Sequence, residues 1–171
     1  MQSLSRSTHS AETLAEVRAH DQVMRYRRAG AGRPLVVLGG GPDALWPELE
    51  PDLVTRFRVV TPEVPGHDGD AAAWARDFLE GVGLDRVVLL AAEPFCIAAL
   101  ELVLLDADRV ERLVLVPSGD AGETGLDGTL ATTLAGGGVP LLVVRRGLAL
   151  AQALPQLRAF LGRDGRPRAP G

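Results

Sequence analysis

The chain has 171 residues, 46% of them apolar, with 18 basic side chains against 22 acidic ones and a formal charge of −4. That length supports one domain with a real core but not two, no apolar run approaches the ~20 residues of a membrane-spanning helix, and the acidic balance gives no electrostatic case for nucleic acid. A single cysteine, Cys96, excludes an internal disulfide and a cysteine-based zinc site. Residues 1–30 are polar and mixed in charge, with nothing like a secretory leader, so a cytoplasmic location is expected. Every basic residue is Arg, and Lys and Asn are absent. This is the mark of GC-rich coding, so an arginine by itself is not read here as chemistry.

Residues 1–12 are expected to be disordered, followed by one domain over 13–161 and a disordered tail over 162–171. Leu14–Ala19 and Gln22–Arg28 read as short strands separated by a turn at His20–Asp21. Pro34–Leu38 is a buried strand that runs into Gly39–Gly40–Gly41. Residues 43–53 suit a short helix with Leu45, Trp46 and Leu49 inward, and Phe57–Thr61 is the next strand, ending in the loop PEVPGHDGD. Ala71–Gly81 reads as a helix capped by Asp70, with Trp74, Phe78 and Leu79 on its apolar face. Val87–Ala91 is short, apolar and β-branched enough to be a strand buried on both faces.

Glu93 then stands at a corner before an apolar helix running to Leu105. Pro94 suits the first helical position, where its missing N–H has no intrahelical partner. Arg112–Val116 is another buried strand, 117–138 reads as a loop with at most one short helix, Val139–Val144 is the last strand and Leu148–Leu161 the last helix. Strands alternating with helices predict an α/β fold with a doubly wound, mostly parallel sheet. In such a sheet the carboxyl end of a central strand is where ligands bind, which puts Glu93 at a privileged corner.

The order of segments over residues 14–161 resembles the α/β-hydrolase fold. PLVVLGGGPDALW is similar to that family's strand and oxyanion loop, FRVVTPEVPGHDGD to its strand and Pro-Gly-His-Gly loop, and DRVVLLAAEPFCIAALELVLLDADRVERLVLVPSG to its strand, nucleophile elbow, helix and next strand. VPLLVV resembles the strand that precedes the catalytic acid. The resemblance implies a six- to eight-stranded core with a reduced cap over 117–138 and without the C-terminal strand. It also exposes what is changed. The elbow Gly-x-Ser-x-Gly, a sharp strained turn, is here Ala91–Ala92–Glu93–Pro94–Phe95. Gly39 stands where the oxyanion loop often has a His, and Arg145–Arg146–Gly147 where the acid is expected. The sequence given stops before the segment that brings the catalytic His. No Ser-His-Asp triad is therefore expected in its usual places.

Several residues remain as candidates. Some relatives use an Asp at the elbow as a covalent nucleophile on carbon; Glu93 is either such a group, an acid–base or ligand anchor, or a spent corner that merely meets the helix end. His67 borders the same region and suits acid–base work or ligand binding, with Asp120 as its orienting acid; Asp120 and Ser118 equally make an ordinary turn. Gly39, Gly40 and Gly41 offer backbone N–H groups to an oxyanion or carbonyl, with Pro94 and Ser118 beside them. Cys96, in the first helical turn, is either a thiolate favoured by the helix dipole or a small core residue. No metal is expected, and no cofactor either, because the glycine run lacks both phosphate-loop patterns. The sequence thus predicts an atypical hydrolase-fold protein for a small organic molecule, in a biosynthetic pathway, with an inactive pseudo-hydrolase serving as a binding or scaffold protein as the alternative. Residues Val139–Val144 form an apolar sheet edge, so a homo-oligomer is expected, the edge being covered by a second copy or by a neighbour's Leu148–Leu161.

Overall fold

The computed structural model describes residues 12–39, 46–64, 70–116, 138–144 and 150–162. In chain order the elements are β1 (Thr13–Ala19), β2 (Gln22–Ala29), β3 (Arg33–Leu38), α1 (Trp46–Leu53), β4 (Phe57–Pro62), α2 (Ala71–Val82), β5 (Val87–Ala92), α3 (Cys96–Leu105), β6 (Val110–Val116), β7 (Leu141–Val143) and α4 (Leu150–Leu161), with one 3-10 turn at Ala107–Arg109. Among the described residues the seven strands form a single sheet in the order β1-β2-β4-β3-β5-β6-β7. β2 runs antiparallel to both of its neighbours, and β4, β3, β5, β6 and β7 are mutually parallel.

Alternation along the parallel strands sorts their side chains onto two apolar faces. Val36, Leu38, Leu89, Ala91, Leu113 and Leu115 pack beneath α2 and α3. Leu35, Val37, Val59, Val88, Leu90 and Val114 pack against Leu49 and Leu53 of α1 and Leu157 and Leu161 of α4. β5 is buried along its whole length, as expected of a central parallel strand covered on both sides. The same alternation explains a buried cation: Arg112 shares the face of Val114, is only 5% exposed, and lays its guanidinium 5.4 Å from the centroid of the Phe160 ring on α4.

The β1–β2 hairpin turns at His20–Asp21 as expected, with His20 at φ 52, a region that histidine enters more readily than most residues. Asp70 caps α2 by accepting from Ala72 N at 3.1 Å and Ala73 N at 3.0 Å, and Gly83, at φ 72, closes the other end. Inside α2, Phe78 is fully buried between a stacked Trp74 and an edge-on Tyr26.

Two expectations need correction. Pro94 is not the first helical residue: Phe95 N–H turns back to the Ala92 carbonyl at 2.8 Å, and the first helical bond is Ala99 N–H to the Phe95 carbonyl at 3.0 Å. The helix therefore starts at Cys96, leaving Glu93 and Pro94 in a separate turn. The last strand is shorter than Val139–Val144, spanning Leu141–Val143. α4 packs on its own chain, with Leu157 and Leu161 buried against the sheet. The expected disorder at 1–11 and 163–171, and the reduced cap, lie outside the described residues. Among the described residues no helix is long and apolar enough to cross a membrane.

Candidate functional site at the carboxyl end of the sheet

β4, β3 and β5 lie side by side and parallel, so their carboxyl ends open onto one place. Gly39 follows β3, Glu63 and Val64 follow β4, and Glu93–Pro94–Phe95 follow β5. With Arg27 from the adjacent β2, they wall a hollow of about 370 Å³. Small-molecule sites occupy roughly 300–1,000 Å³, so this space holds a ligand of modest size.

Gly39 is fixed by geometry. At φ 84, a Cβ there would lie 2.8 Å from the Ala92 carbonyl oxygen and 2.9 Å from the Phe95 ring. The end of β3 and the turn after β5 are in direct contact, and only glycine allows it. The glycine that sequence offered as a ligand-binding group is thus also the residue that lets the corner form.

The turn at Glu93 differs from a strained nucleophile elbow. Among the described residues His20 is the one non-glycine with positive φ, so Glu93 is not in the left-handed region, and its peptide bond to Pro94 is cis. Ala91 and Phe95 can therefore replace the two glycines that a strained elbow needs. Glu93 is half-buried and Pro94 exposed, both on the wall of the hollow.

Cys96 lies behind this wall, fully buried, with its thiol 3.5 Å from the Ala91 carbonyl oxygen. Burial, and then the negative charge of Glu93, push its pKa up to about 12. Desolvation and a like charge both disfavour the thiolate, and they outweigh the helix dipole invoked for a reactive cysteine. Cys96 is a protonated core residue.

No family model matches the sequence, and no curated protein does. Solved structures do resemble the chain. Naproxen esterase from Bacillus subtilis, a carboxylesterase, superposes with a TM-score of 0.57 at 14% identity, covering 64% of this chain and 45% of the esterase. The epoxide hydrolase CorEH gives 0.55 at 24% identity, covering 72% and 55%. A protein described as a predicted CIB-like hydrolase, from Thermoplasma acidophilum, gives 0.62 at 15% identity, covering 90% and 98%.

The chain has the α/β-hydrolase fold.

It spans about half the length of the esterase and the epoxide hydrolase, 45% and 55%, and nearly all of the Thermoplasma protein, 98%. In this hydrolase-fold chain Glu93 stands at the corner after β5, with Gly39 and Pro94 brought against it. Gly40, Gly41, His67, Ser118, Asp120 and Arg145–Arg146 lie outside the described residues. Sequence reasoning missed two charged groups of the wall, Arg27 and Glu63. Glu63 follows β4 directly, and the rule that sites gather at carboxyl strand ends points to it as much as to Glu93. Arg27 gave no such signal, because nothing local to β2 says that it will pair with β4. Among the described residues no group of three or more His, Cys, Asp and Glu could hold a metal ion.

Proposed function

We propose that this chain is an atypical α/β-hydrolase-fold protein that binds or acts on a small organic molecule at the Glu93 corner without a Ser-His-Asp triad. The observation that carries the reading is the hollow at the carboxyl ends of β3, β4 and β5 with the Glu93 carboxylate in its wall. Glu93 acts as an anchor or an acid–base group rather than as a covalent nucleophile, a role supported by the absence of a positive φ at Glu93. His67, with Asp120 as its orienting acid, and Ser118, Gly40 and Gly41 belong to the same proposal. A biosynthetic setting is part of it too, and the neighbouring genes test that. The experiment for the site compares Glu93→Gln and Glu93→Ala with wild type on a panel of small esters, lactones and epoxides. Loss of an acid–base group costs about 10²–10⁴-fold in rate, so turnover should fall at least about 100-fold while the circular dichroism spectrum stays that of wild type. Unchanged turnover in both variants would defeat the reading.

A second reading, an inactive pseudo-hydrolase that only binds, is favoured by the buried, protonated Cys96 and by a glutamate in place of the elbow serine, which leave no activated nucleophile among the described residues of the hollow. It predicts ligand binding by wild type with no turnover on the panel.

A homo-oligomer through the β7 edge belongs to the same proposal. Pro140 C=O and Val144 N–H bond to β6, so by alternation Leu141 and Val143 turn their backbone groups outward. Topology limits what can cover them. α1 carries the chain from β3 to β4 on one face, whereas α2 and α3 carry it the opposite way on the other. α4 lies on the α1 face, so a right-handed crossover from β7 leads back towards β6, where the edge is taken. A second copy adding its β7 antiparallel resolves the edge, and light scattering should report a dimer; a monomer at high micromolar concentration counts against it.

A further inference from the structure

Two hollows meet at Glu63. One is the Glu93 hollow; the other, of about 520 Å³, is walled by Val23, Met24 and Arg25 of β2 and by Trp74 of α2. Glu63 lines both, so the two hollows adjoin there and are taken together as one trench from the β5 corner to Trp74. Its charges are unevenly committed. Arg25 Nε donates to Glu16 at 2.9 Å and Arg27 Nη1 to Glu12 at 3.0 Å, so each basic group already has a carboxylate partner at the exposed surface. No such partner among the described residues neutralises Glu63 or Glu93. The rest of the lining adds ring and aliphatic surface: Phe95 beside Glu93, and Trp74 with Val23 and Met24 at the far end.

We propose that the trench binds an organic ammonium ion with an apolar body, the cation between the Glu93 and Glu63 carboxylates and the body reaching past Glu63 to Trp74. This rests on the reading of Glu93 as a ligand-binding group and names the ligand class. Among the described residues an anion or a neutral polar molecule would bring neither carboxylate a counter-charge, whereas an ammonium ion supplies one, with the Phe95 ring beside it in the wall. Trp74 is backed by the Phe78 ring, stacked at 5.6 Å, so its position is set before any ligand arrives.

The chain has two tryptophans, Trp46 and Trp74, so Trp46→Phe leaves Trp74 as the one emitter. The full-length Trp46→Phe protein is titrated with butylammonium, benzylammonium and 2-phenylethylammonium chlorides, and with the matching neutral alcohols. Saturable fluorescence changes are expected for the amines, tightest for 2-phenylethylammonium, with the alcohols at least tenfold weaker. Glu63→Gln and Glu93→Gln should each weaken amine binding at least tenfold. If Trp46→Phe does not fold, calorimetry on wild type and Trp74→Phe gives the same comparison. Equal affinity for amine and alcohol, no saturable amine binding, or binding indifferent to Glu63→Gln overturns the proposal. If amines fail while turnover of some other substrate still depends on Glu93, the ligand class falls and the functional reading stands. If amines bind and Glu93→Gln leaves their binding unchanged, the reading of Glu93 itself falls.

Discussion

Gly39→Val should destabilise the protein by about 3 kcal/mol or more, combining strain at a left-handed backbone position with overpacking. Gly39 holds φ 84, which a β-branched residue resists, and its Cβ would meet a carbonyl oxygen at 2.8 Å and an aromatic ring at 2.9 Å. The carbonyl belongs to Ala92, at the end of a strand buried on both sides, and so cannot retreat; Phe95 can turn only by leaving the wall of the hollow. Gly83→Val is the control, because Gly83 has φ 72 with nothing within 4 Å of its added Cβ. That variant bears the conformational cost alone, about 1–3 kcal/mol. Urea midpoints of the two variants separate the terms. Equal midpoints would mean that the β3 end and the β5 corner are not in contact.

Phe78→Ala should cost about 4 kcal/mol, in the range for emptying a fully buried aromatic site. Phe78 is 0% exposed and lies between Trp74, stacked at 5.6 Å, and Tyr26, edge-on at 5.5 Å. Each aromatic pairing adds about 0.5–1.5 kcal/mol beyond the area buried, so the loss exceeds that of an aliphatic contact of similar size. Domains of this kind have about 5–15 kcal/mol in all, and such a variant would be close to unfolding at 37 °C. Denaturant melts measure it, with Phe78→Leu retaining most of the stability. A loss below about 1.5 kcal/mol would show that α2 does not pack on β2 through this cluster. The consequence reaches the trench, because Trp74 would lose the ring that backs it.

Much of this was readable in the chain. Apolar runs of five or six residues such as Val87–Ala91 could only be strands covered on both faces, and Asp70 carried a helix-cap signal that the structure uses. The corner after β5 was readable as a place. Its conformation was not: a proline after a strand is compatible with a first helical position and with a preceding turn, and the choice is made by the Phe95 N–H bond back to Ala92. Cys96 was open between two readings, and the structure takes the core one. Its place in the first helical turn argues for a thiolate, but burial behind Glu93 is a tertiary fact, and it wins. Arg27 and Glu63 meet only because β2 pairs with β4 across the sheet, a long-range pairing that no local pattern encodes.

Whether the corner after β5 holds a ligand is decided by a crystal structure of the full chain soaked with a library of small organic fragments. Fragment density is expected in the hollow between Gly39, Glu63 and Phe95, with a polar atom within hydrogen-bond distance of the Glu93 carboxylate. A hollow closed by Phe95 and Val64, with Glu93 turned inward and every fragment elsewhere, would contradict it.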